Sequence, residues 1–165
     1  MEKYEEKVKK ELEDLTNTQR LLFGACCIDR ILHLIAGFDN FLQENHIKRI
    51  TKEPYLSLCT DWLDSIFLYV NINKDISSDE IEKTLNTLNK IIPDTEEFPD
   101  NVAIFTQNSM IGLSYLYEFI NKNELIFITN CSDKVIETID VMYYETDYER
   151  LDIHYEEDYM IQFNC

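Results

Sequence analysis

The side chains best suited to nucleophilic, acid–base or metal chemistry are three histidines, His33, His46 and His154, and five cysteines, Cys26, Cys27, Cys59, Cys131 and Cys165. Asp29 stands one helical turn before His33, the spacing at which two ligands share a metal, but no third ligand accompanies them. The Glu-x-x-His motif of di-iron helical bundles would need a Glu where Arg30, Gln43 and Leu151 stand. There is no H-E-x-x-H, no G-x-S-x-G elbow and no Gly-rich phosphate loop, since Gly24, Gly37 and Gly112 occur singly. A cysteine nucleophile needs a base beside it. Cys26 shares a helical face with His33 but lies two turns away, about 10 Å of rise, and Cys27 faces another side. No metal and no cofactor is expected. What remains for chemistry is Asp29, Arg30 and His33, the place an enzyme of unknown reaction would use. The plainer reading is a core histidine beside a buried, helix-tying Asp–Arg pair.

The most distinctive feature is charge. The chain carries 32 acidic and 15 basic residues, a formal net charge of −17. The first half is balanced. The excess gathers in residues 75–100, with eight acids against Lys83 and Lys90, and in residues 145–165, with seven acids against Arg150. An evenly solvated surface would spread them. The second stretch is also rich in tyrosine, a side chain that supplies large contact area at low entropic cost. Asp94, Glu96, Glu97 and Asp100 in the first stretch, with Asp147, Tyr148, Glu149, Asp152, Tyr155, Glu156, Glu157 and Asp158 in the second, are the expected partner-binding residues. Their sign points to a basic partner and excludes nucleic acid and anionic membranes. Lys48-Arg49 with Lys52, the only basic cluster free of acids, reads as a solvated helix end or loop.

These residues must be held by helices. Three Gly and three Pro among 165 residues are too few for an all-β domain. Apolar residues recur at helical spacing over residues 2–15, Gln19 to Ala36, Pro54 to Val70, Ser77 to Ile92, Val102 to Asn121 and 124–144, with a short helix over Phe38 to Ile47. Thr16 to Thr18 and Ser77 offer N-caps, Gly37 a C-cap, and Pro93 a stop before the acidic loop 93–101. Tyr144, Tyr148, Leu151, Tyr155 and Tyr159 extend the pattern, so 145–165 reads as a final helix. The expected fold is all-α: one domain, 1–165, an antiparallel multi-helix bundle of six or seven helices. No apolar run approaches the roughly 20 residues that span a bilayer, and Leu21 to Phe38 is interrupted by Asp29, Arg30 and His33. The charged N-terminus lacks a signal core, and an odd cysteine count without C-x-x-C suits a reducing compartment; a cytoplasmic protein is expected.

Two stretches carry a family resemblance. Gln19-Arg20-Leu21-Leu22-Phe23-Gly24-Ala25-Cys26-Cys27-Ile28-Asp29-Arg30, and Ile92-Pro93-Asp94-Thr95-Glu96-Glu97-Phe98 with the helix from Val102, resemble an early helix and an Ile-Pro acidic loop of the YjaG-like bacterial family, domain of unknown function 416. Asp29 stands where that family has Glu, and the tail matches poorly. The resemblance implies an all-helical fold and no activity or catalytic residue. The expected function is therefore drawn from charge: a stoichiometric binder of a basic protein, most concretely an immunity protein or inhibitor covering a cationic toxin or nuclease. An enzyme around Asp29, Arg30 and His33, and a homo-oligomeric scaffold without chemistry, are the alternatives, and a homodimer stays open.

Overall fold

A computed structural model of the chain describes residues 2–98 and 101–154, the side chains of 2–5 and 145–154 excepted. Among the described residues there are seven helices and no strands: α1 (Glu2–Glu13), α2 (Asn17–Leu32), α3 (Ile35–Glu44), α4 (Tyr55–Ile72), α5 (Ser78–Ile91), α6 (Asn101–Lys122) and α7 (Leu125–His154). The all-helical bundle read from the periodicity is what the chain forms.

The caps explain several boundaries. Thr16 forms a reciprocal capping box with Gln19, its hydroxyl accepting from the Gln19 amide at 3.3 Å while its own amide donates to Gln19 Oε1 at 2.9 Å. Arg20 then donates back to the carbonyls of Leu12 and Glu13, at 2.8 and 2.7 Å, satisfying the open end of α1. Ser77 accepts from the Glu80 amide at the start of α5. Asn73 and Asn123 close α4 and α6 in the left-handed region, φ 52° and 57°, a conformation asparagine tolerates better than most residues.

α2 and α6 form the centre. Leu21, Ala25, Ile28, Ile31 and Leu32 from α2 meet Met110, Leu113, Leu116 and Tyr117 from α6, all buried. The helices α4 and α7 pack on this pair. Close approach is possible because Gly24 and Gly112 face side chains of their neighbours. A Cβ on Gly24 would lie 2.7 Å from Leu116 Cδ2, and one on Gly112 would collide with Ile28 Cδ1.

Two expectations are corrected here. The helix expected over Gln19 to Ala36 is broken: α2 ends at Leu32, and α3 begins at Ile35. The buried Ser109 hydroxyl lies 3.0 Å from the Ile31 carbonyl and 2.8 Å from that of Phe105, sharing its one proton between them. Leu34, rather than Ile35, donates its amide to Ile31 O, at 3.0 Å, tightening the turn. A side chain inserted into the helical ladder is a recognised cause of such bends. Gly37 is accordingly no C-cap. It lies in the first turn of α3, against Val102. The second correction concerns residues 145–154, which are no separate helix; they continue α7.

By length and composition, residues 17–44 hold an 18-residue window apolar enough to cross a bilayer, with mean hydropathy 1.7, contrary to the expectation from sequence. In the fold this stretch is two helices, and Leu21, Ile28, Ile31, Ile35 and Phe38 are core residues covered by protein.

Candidate functional site

Residues 93–98 of the acidic loop form a hydrogen-bonded turn. Pro93 is buried, and its carbonyl accepts from Gln107 Nε2 at 3.0 Å. Asp94 organises the next four residues: Oδ1 accepts from the Glu96 amide at 2.9 Å, and its carbonyl accepts from the amides of Glu97 and Phe98 at 3.2 and 2.9 Å. Phe98 then meets two rings of α3 nearly at right angles, 5.3 Å from Phe38 and 6.3 Å from Phe41 between centroids. Such contacts fix a ring's orientation as well as burying it. The turn is held at Pro93 and at Phe98, and Asp94, Glu96 and Glu97 stand exposed between these two contacts. Asp100, the fourth acid expected here, lies outside the described residues. Beside the turn, a cavity of about 250 Å³ has Phe38, Leu42 and Tyr55 in its wall, and Lys48 and Lys90 line it together with Asp94 and Glu97.

The register of α6 and α7 sets where the second acidic stretch begins. Asn108 Nδ2 donates to Thr138 Oγ1 at 3.2 Å, and the Cys131 thiol to the Gly112 carbonyl at 3.4 Å. The two helices are therefore antiparallel. Asn101 lies seven residues before Asn108, and Glu145 seven residues after Thr138. At about 1.5 Å of rise per residue both sit some 10 Å along from that contact, in the same direction. The part of α7 beyond 145 thus runs on from the end of the bundle at which α6 leaves the acidic loop. Asp147, Tyr148, Glu149 and Asp152 lie on α7, their side chains outside those described. Tyr155, Glu156, Glu157 and Asp158 lie outside the described residues altogether.

A buried carboxylate near the turn went unnoticed in the sequence. α4 starts after Pro54, whose side chain cannot cap it. The cap comes from Asp39 on α3: Oδ1 accepts from the Tyr55 amide at 3.0 Å and Oδ2 from the Leu56 amide at 2.9 Å. Arg49 completes the arrangement, Nε to Asp39 Oδ1 at 2.8 Å. Asp39 is only 6 % exposed, so a carboxylate is tolerated there because three donors and a helix N-terminus meet it. Arg49 is thus an internal tie, not the solvated residue the basic cluster suggested. The only hint was an acid at a helix position flanked by Phe38 and Phe41.

The alternative site fares differently from its expected structural role. Asp29, Arg30 and His33 are all exposed, so the core histidine and the buried Asp–Arg pair are both corrected. α2 ends at Leu32, which brings His33 to the bend and out of the core. Cys27, Cys59 and Cys131 carry no sign of activation. Cys27 is pushed up to about 11, chiefly by burial, against the opposing effect of Arg30. Near neutral pH only about one molecule in 10⁴ would hold it as thiolate, whereas an activated nucleophile has its pKa lowered. Cys59 and Cys131 are raised as well, again chiefly by burial. Among the described residues no three His, Cys, Asp or Glu side chains converge as metal ligands.

No family model, no curated protein and no solved structure matches this chain.

Proposed function

We propose that this protein binds a basic protein stoichiometrically, most concretely as an immunity protein or inhibitor that covers a cationic toxin or nuclease site in the cytoplasm. One observation carries the reading. The antiparallel register of Asn108 with Thr138 and Gly112 with Cys131 supports a single acidic end, shared by the 94–97 turn and the last part of α7. The turn's hydrogen bonds support it too, because exposed acids on an ordered turn lose little entropy when a partner arrives. Clustered charge steers an oppositely charged partner and speeds encounter. Kinship with the YjaG-like family stays a proposal resting on its two stretches. The test is capture from the native cell at low salt, followed by association kinetics of the recovered protein across a salt titration. A basic partner whose association slows steeply between about 0.05 and 0.3 M salt supports the proposal. A partner of neutral or acidic character, with salt-independent kinetics, counts against it.

A further inference from the structure

Between α2 and α7 the packing leaves a cavity of about 250 Å³, with Phe23, Val135, Ile136 and Ile139 in its walls and Cys27 and Arg30 beside them. Its interior is neutral. The hydroxyl of Ser132, another lining residue, is committed to the Thr129 carbonyl at 2.7 Å. The Cys27 thiol stays protonated because burial holds its pKa high. Arg30 is the one charged residue of the lining, and it is exposed.

Arg30 also stands apart from the other arginines whose side chains are described. Arg20 is tied to two carbonyls and Arg49 to Asp39. Arg30 has no ion-pair or hydrogen-bond partner among the described residues, in a chain with 32 acids. An apolar pocket with a free guanidinium at its edge recognises one chemical class well. A guanidinium pairs with a carboxylate through two parallel hydrogen bonds, while the apolar wall takes a hydrocarbon body.

We propose that this cavity is a binding site for a small apolar carboxylic acid, with the carboxylate on Arg30 and the hydrocarbon part against Phe23, Val135 and Ile136. Size limits the ligand. The volume, about 250 Å³, equals roughly eight water molecules at ~30 Å³ each, room for a ring and a short chain but not for a long acyl chain. Ile139, 45 % exposed, would be covered on binding.

The test uses the full chain and two probes of nearly equal shape, 4-phenylbutyrate and 4-phenylbutanol, titrated by calorimetry at neutral pH. The acid should bind about tenfold more tightly than the alcohol, the order expected of one charge-assisted pair at a solvent-facing edge. Arg30→Gln, a change at an exposed position, should bring the acid down to the alcohol's level and leave the alcohol unchanged. Val135→Trp, which fills the cavity, should abolish both in protein whose helical circular dichroism is intact. Equal binding of acid and alcohol overturns the proposal. So does an Arg30→Gln variant that binds the acid as wild type does, or failure of the folded wild type to bind either probe at about 10 mM.

Discussion

Ser109 on α6 reaches the Ile31 carbonyl on α2 at 3.0 Å, at the place where the chain turns from α2 into α3. This contact bears on the acidic surface at a distance. The bend redirects α3, and α3 supplies Phe38 and Phe41, the rings against which Phe98 anchors the loop.

Ser109→Ala should cost about 1 kcal/mol, the usual net worth of a buried hydrogen bond. Loss of the hydroxyl leaves the Ile31 carbonyl with the Leu34 amide, so the fold should survive with a loosened bend. Urea unfolding gives the cost, and hydrogen exchange should quicken at residues 33–37 ahead of α6. A uniform change across the chain would separate the bend from this hydroxyl.

Asp39→Ala should cost more, about 2–4 kcal/mol, because it removes the cap of α4 and strands Arg49 in a partly buried position. Arg49→Met should cost about 1 kcal/mol, since Asp39 keeps its two backbone donors and Arg49 is partly solvated. Equal losses for the two would show that the ion pair, and not the cap, is what matters.

Stability should also decline in base. Cys27, Cys59, Cys131 and Tyr117 are all raised, each chiefly because burial penalises the charged form. Above the ordinary thiol value of 9.0 the unfolded chain gives up protons that the folded one keeps. The stabilisation is therefore complete below that pH and is lost as pH rises, by about 1.4 kcal/mol per pH unit for each group involved. Urea midpoints should be level from pH 7 to 8.5 and fall steeply from 9 to 11. In the same range Cys27 should begin to alkylate, whereas the exposed Cys26 should be modified first at pH 7.5. Early labelling of Cys27 would contradict the burial that raises it.

The elements legible in the sequence were those whose signal is local. The stripe from Ile81 to Leu88, the Ser77 and Thr16 caps and the stop at Pro93 each depend on residues within a turn or two. What stayed hidden depends on partners far along the chain. The Ser109–Ile31 contact spans 78 residues, and the Asp39 cap of Tyr55 spans 16. Apolar side chains recur at helical spacing on both sides of the break within residues 19–36, so periodicity offered no sign of it. Exposure of His33 and Arg30 follows from that break and from how α2 meets α7, and neither can be read from spacing. Within the acidic surface, sequence supplied the charges of Asp94, Glu96 and Glu97. The hydrogen bonds of Asp94 and the ring contacts of Phe98, which hold the turn, required the fold.

The most direct measurement is the association rate of the captured basic partner with wild type and with a triple variant, Asp94→Lys, Glu96→Lys and Glu97→Lys. Reversing exposed charges should leave thermal stability within about 0.5 kcal/mol, with Asp94 the position to check because it also shapes the turn. Association should be at least tenfold slower for the variant at about 0.05 M salt, converging on wild type as salt passes about 0.15 M, where charges beyond roughly 8 Å are screened. Association at the wild-type rate at every salt concentration, by a variant that is folded and more stable, would contradict it. The acids would then only repel one another, and the binding proposal would fall.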